Sequence, residues 1–136
     1  MVSNTGVIAA DAYTGGQERM RAAGVGYGGD KAIFGYGANY SNPVLNSTYL
    51  VSNTGIIAAD TTGVGTARKG LAAATYGVDK GIFGFGRTTA VVAMTNLVSN
   101  TGVVANDTAA VRLVPRQYVS AAEYGTNKAI FAGGSV

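Results

Sequence analysis

The chain has 136 residues, ten Lys or Arg against seven Asp or Glu, a formal net charge of +3, and no His, Cys or Trp. Without His or Cys there is no Ser–His–Asp or Cys–His catalytic set, no zinc finger, no CxxC redox pair and no disulfide framework. No basic run marks a nucleic-acid surface, no apolar stretch of about 18 residues marks a membrane span, and the first residues lack the charged start and apolar run of a signal peptide, so neither nucleic acid nor a membrane is an expected partner.

In chain order, the first element is VSNTG at Val2–Gly6. It reads as the end of a strand, Val2–Asn4, then a tight turn, then a strand over Gly6–Ala9. Asp11, a variable stretch Ala12–Gln17 and Arg19 follow. Gln17–Ala23 has some helical character, but its counterparts Thr66–Ala72 and Arg112–Ser120 contain Gly or Pro, so no helix is predicted. Tyr27–Gly37 (YGGDKAIFGYG) predicts a turn running into an aromatic strand, and Ala38–Tyr49 is a variable connection. VSNTG then returns at Val51–Gly55 and Val98–Gly102, and the aromatic block returns at Tyr76–Gly86 and Tyr124–Gly134. Each copy also carries an Asp (Asp11, Asp60, Asp107) and an Arg (Arg19, Arg68, Arg116). Residues 1–136 therefore form one repeat domain with units 2–50, 51–97 and 98–136.

A period of 47–49 residues fits a helical pair or a four-stranded propeller blade. Short apolar runs punctuated by glycine, with β-branched and aromatic residues between, favour strands. The middle copy parses into four of them. A small apolar strand Gly70–Tyr76 is followed by Lys80–Phe85, by a third that the linker Gly86–Asn96 carries or precedes and that ends at Leu97–Ser99, and by Gly102–Ala105. Runs such as AIF and VVA are apolar at consecutive positions, which predicts burial on both faces. The predicted fold is all-β, a propeller-type array of four-stranded blades. A β-solenoid would need a period near 20–30 residues and ranks lower.

The stretch Thr95–Gly134 resembles the Kelch motif, with a variable outer strand, a loop ending in Arg, a small apolar strand, a turn and an aromatic-rich strand ending in Gly-Gly. The Gly pair is complete at Gly133-Gly134 and broken as Gly35-Tyr36-Gly37 and Gly84-Phe85-Gly86, and the Kelch Trp is missing. The VSNTG and DKAIFGYG wording also resembles repeat arrays in uncharacterised bacteriophage proteins, often among virion or tail genes. The resemblance implies a structural or interaction module located in a virion. Three units are too few for a ring of about 4–8 blades. The chain starts late in one blade and stops midway through another, so a homo-oligomer closed by shared blades is expected. A dimer of six blades is favoured, with a trimer of nine as the larger alternative and an open head-to-tail filament as the case that fails to close.

The Asp and Arg of each unit, Asp11, Asp60, Asp107, Arg19, Arg68 and Arg116, are read as ion pairs or loop-fixing hydrogen bonds, since a residue copied in every blade belongs to the blade. Lys31, Lys80 and Lys128 are read as caps on strand ends, and Tyr27, Tyr76 and Tyr124 as packing residues. Glu18 and Glu123 stand at non-equivalent positions and make no convincing glycosidase pair. GVGYGGDK at Gly24–Lys31 lacks the Gly-Lys-Ser/Thr ending of a phosphate loop, and no acidic loop of the calcium-binding kind is present. Asn39, Asn46 and Asn106 are N-x-[ST] positions, relevant only in a secretory setting. No catalytic residue, metal site or cofactor is assigned, and the chain is read as a non-enzyme. Binding is expected on the unrepeated connections Ala38–Tyr49, Arg87–Thr95 and Thr108–Pro115. The candidate residues are Asn39, Tyr40, Asn42, Asn46, Tyr49, Arg87 and Arg112, and the expected partners are other virion proteins or a surface glycan.

Overall fold

The computed structural model describes residues 1–10, 17–41, 43–109 and 113–136. These residues are all-β, with no helix among them. The strands are β1 (Ala23–Tyr27), β2 (Lys31–Gly35), β3 (Thr48–Val51), β4 (Ala72–Tyr76), β5 (Lys80–Gly84), β6 (Met94–Val98), β7 (Thr108–Ala109), β8 (Ser120–Tyr124) and β9 (Lys128–Ala132). They form three antiparallel sheets in the orders β1-β2-β3, β4-β5-β6-β7 and β8-β9.

The register repeats from sheet to sheet. Tyr27 faces Lys31, Tyr76 faces Lys80 and Tyr124 faces Lys128. The turns between them use two successive left-handed residues, Gly28-Gly29, Gly77-Val78 and Gly125-Thr126, the backbone that tight hairpins favour. Ala32 pairs with Val51 as Gly81 pairs with Val98. The VSNTG segments at Val51–Gly55 and Val98–Gly102 therefore each close the sheet whose inner strands precede them. A sheet spans the boundary between two successive sequence repeats.

The four-strand expectation holds in full for the second sheet alone among the described residues. Its fourth strand differs from the expected Gly102–Ala105. One bridge, Val98↔Val104, opens it, and regular pairing resumes at β7, against Met94 and Thr95. Between them the Asn96 side-chain amide donates to the Ala105 carbonyl at 3.0 Å and occupies the acceptor a ladder would use.

β1 packs against β4, and β4 against β8. The core lies mainly between the first two sheets, with Val25, Tyr27, Ile33, Tyr36, Leu71, Phe83 and Val98. The Phe83 ring meets Tyr36 edge-on at 5.2 Å between centroids. Glycine in the strands makes room for neighbouring side chains. A Cβ on Gly84 would stand 2.9 Å from the Phe131 ring, and one on Gly35 would meet the Thr48 methyl at 2.5 Å. Burial on both faces, expected for every blade, occurs in β4 and β5, which have a neighbouring sheet on each side. β1 alternates between buried and exposed, and β8 and β9 are mostly exposed.

Candidate functional site

The repeated Arg is the hub of each unit. Arg19, Arg68 and Arg116 each donate to the carbonyl oxygen seventeen residues later, at Tyr36 (3.0 Å), Phe85 (2.8 Å) and Gly133 (3.1 Å). Arg19 also reaches the Ser47 carbonyl at 2.8 Å and pairs with Asp60 at 2.8 Å. Arg68 is fully buried, donates to the Thr66 carbonyl at 3.2 Å and stands 3.8 Å from Asp107. Its guanidinium lies over the Tyr36 ring at 4.3 Å. The Asp partners also hold the loop ahead of the Arg. Asp60 accepts the Gln17 backbone N–H, and Asp107 accepts the N–H and hydroxyl of Thr66. Asp11 lies outside the described residues.

Electrostatics follow this geometry. Burial opposes the charge on Asp107, but hydrogen bonds from Thr66 and Asn96 and the nearby Arg68 outweigh it and hold the carboxyl below its usual value. Burial lowers the pKa of Arg68, against the opposing pull of Tyr36 and Asp107. Burial also pushes the Tyr36 phenol up to about 12.

The broken glycine pair is intact in the backbone. Gly133 and Gly134 have φ of +72° and +80°, and Tyr36-Gly37 (+59°, +89°) and Phe85-Gly86 (+63°, +104°) adopt the same pair of left-handed conformations. A bulky residue there is a steric outlier. Tyr36 and Phe85 hold it with their rings in the interior. Composition at these positions gives no sign of it. The signal available in the sequence was their alignment with Gly133.

The unrepeated connections divide into engaged and open residues. Asn46 donates to the Gly65 carbonyl at 2.7 Å, and Tyr49 stacks on Phe34 at 5.5 Å beneath Arg19 at 5.0 Å. Both are fixed within the fold. Asn39 is half-buried, and its N–H donates to the Pro43 carbonyl, while Tyr40 projects into solvent. Arg87 folds onto its own loop, donating to the Thr89 carbonyl at 3.1 Å. Asn42 and Arg112 lie outside the described residues. Both described connections close with the same bond. The Leu45 N–H donates to the Gly37 carbonyl across eight residues, and the Val92 N–H to the Gly86 carbonyl across six. Buried Asn96 and Thr48 were missed as organising residues: Asn96 stands where the preceding unit has Tyr49, and Thr48, although repeated as Thr95, lies in a connection read as variable.

Lys31 contacts its neighbour Asp30 at 2.8 Å in the exposed turn, consistent with a strand-end role. Glu18 and Glu123 are both exposed.

No protein-family model matches the chain, and a search of curated proteins returns no relative. Among solved structures, one titled "Structure of YjhT" is similar, at 14% identity and a TM-score of 0.61. The match covers 87% of this chain and 38% of that one, so this chain spans well under half the length of its structural neighbour, and the likeness is one of fold alone.

Proposed function

We propose that this chain is a Kelch-like array of propeller blades that acts as a structural and interaction module, not as an enzyme, and that it is a virion or tail-associated component of a bacteriophage. The observation that carries the reading is the division between repeated and unrepeated positions. The Arg hubs and the left-handed pairs recur in all three units. The longest unrepeated stretches are connections such as Ala38–Tyr49 and Arg87–Thr95, whose outermost residues face solvent. A rigid scaffold with varied loops suits recognition. The fold likeness to a larger solved structure supports the array, and the VSNTG wording supports the virion setting.

The test is co-purification. Phage particles from the encoding host, banded on a density gradient and digested, should yield peptides of this chain at a constant ratio to capsid protein across the band. Peptides confined to the soluble top fractions would refute the virion assignment. A glycan-binding module is the second reading, favoured by solvent-facing Tyr40 beside Asn39. A glycan array probed with the chain and with Tyr40→Ala decides it, since binding that vanishes with the ring would replace the purely structural role.

A further inference from the structure

Two residues after the hub Arg, each unit has a left-handed residue: Arg21 at a φ of +56°, Gly70 at +65° and Tyr118 at +54°. Glycine adopts this backbone without steric cost. The second unit uses it, and the other two hold a large side chain there instead. The three positions form one row. The Gly70 N–H donates to the Arg21 carbonyl at 2.9 Å, and the Tyr118 N–H to the Gly70 carbonyl at 2.7 Å. The bare Gly70 backbone leaves room for the ring, since a Cβ there would stand 3.0 Å from Tyr118. The Arg21 guanidinium lies 6.0 Å from the centroid of that ring, and both side chains are exposed. Burial therefore does not hold them, as it holds the left-handed Tyr36 and Phe85. Strained residues that packing does not explain cluster at ligand-binding sites.

Unrepeated polar side chains adjoin this row. The Lys69↔Arg87 bridge sets Arg87 beside the segment Lys69-Gly70, and the Gly86 N–H, donating to the Arg116 carbonyl, brings the Arg87 backbone near that of Gln117. The Arg87 Nε and the Gln117 Oε1 are buried atoms that make no hydrogen bond among the described residues. One is a donor and the other an acceptor. A sugar hydroxyl answers both, accepting from Arg87 and donating to Gln117, whereas a bare carboxylate or phosphate donates nothing.

Charge narrows the ligand further. At this end of the strands the first two hub pairs cancel, Arg19 with Asp60 and Arg68 with Asp107. Outside the hubs, the described charges there are Arg21, Lys69 and Arg87 against Glu18. At the opposite end, where the hairpin turns lie, Lys31, Lys80 and Lys128 are matched in number by Asp30, Asp79 and Glu123. The cationic excess lies at the end that carries the strained row.

We propose that Arg21, Tyr118, Arg87 and Gln117 bind an acidic sugar of a polysaccharide. The sugar ring stacks on Tyr118, its anionic group lies toward Arg21 and Arg87, and a hydroxyl bonds Gln117. This rests on the glycan-binding reading above, and it names the sugar class and a place for it other than Tyr40.

Dextran sulfate is the probe, with neutral dextran and polyglutamate beside it, each titrated against the chain by calorimetry. Dextran sulfate should bind at low salt and weaken as salt rises, and neutral dextran should bind at least about tenfold more weakly. Tyr118→Gly and Arg21→Gly copy Gly70, so each should keep the fold by circular dichroism while losing at least about tenfold in affinity. Lys80→Gln, at the opposite end, should bind as the parent chain does. Unchanged affinity in folded Tyr118→Gly and Arg21→Gly overturns the site, and if Tyr40→Ala then removes binding the glycan reading stands without it. Equal affinity for polyglutamate overturns the sugar in favour of an acidic protein surface. Failure to bind dextran sulfate overturns the site, and the glycan array then decides the broader reading by itself.

Discussion

Replacing Arg68 by Met tests whether the repeated Arg is the fastening of each unit. The side chain is fully buried, donates to the Phe85 and Thr66 carbonyls and covers the Tyr36 ring. Met fills similar volume but makes none of these bonds, and it leaves Asp107 without its cation. Removing one partner of a buried charged set costs about 3–5 kcal/mol. With an unfolding entropy of about 2.1 cal/mol/K per residue, that corresponds to a fall in Tm of roughly 10–17 °C for a chain of this length. Arg68→Lys keeps the charge and loses the Nε bond to Phe85, an expected cost of about 1.5–3 kcal/mol. Urea unfolding followed by far-UV circular dichroism measures both, and the eight tyrosines give a second probe in a chain without Trp. A loss under about 1 kcal/mol for Arg68→Met, the level of an exposed pair, would refute the fastening role.

Three further outcomes follow from the same geometry. Gly86→Ala places a Cβ 2.8 Å from the Lys69 carbonyl at a φ of +104°, and should cost clearly more than the roughly 1–2 kcal/mol of a left-handed alanine. Gly6→Ala, at a φ of +78° with open space around it, should cost no more than that conformational term, and equal losses in the two variants by thermal melting would contradict the contact argument. Because the Tyr36 phenol is raised from 10.0 to about 12, its contribution is present in full below pH 10 and fades as pH climbs toward 12. The loss is on the order of 3 kcal/mol, and Tyr36→Phe should flatten that alkaline limb of the stability profile. The Asp107 carboxyl is held below its ordinary 3.8, so its contribution is present above that value and is lost as pH falls through the lowered one. Asp107→Asn should therefore be less stable at neutral pH yet show a shallower acid limb, and an unchanged limb would show that the carboxyl is not strained toward ionisation.

The strands were legible because glycine marks the hairpin turns between paired inner strands and VSNTG recurs between units, and β1, β2, β4, β5, β8 and β9 fall inside the predicted repeats. Rejecting a helix at Gln17–Ala23 agrees with the described residues, where Met20 bridges to Ala38. Other features depend on distant partners and leave no local trace. Arg19 meets Asp60 of the following repeat, because the first two sheets each span the boundary between two successive repeats. Tyr49 and Asn46 have a composition suited to ligand contact, but Phe34, Arg19 and Gly65 engage them. The left-handed backbone at Tyr36 and Phe85 was hidden for the opposite reason. Aromatic residues avoid that conformation, and burial of the ring holds them in it.

The paired closing bonds beneath the two varied connections have a consequence for change over time. One spans eight residues and the other six, and the strands on either side keep the same register. Lengthening a loop whose ends are already clamped costs little, about 0.6 kcal/mol for each doubling. Insertions between Gly37 and Leu45, or between Gly86 and Val92, can therefore accumulate without disturbing the sheets. The same two gates are where a randomised peptide library could be grafted, with the scaffold acting as an inert frame.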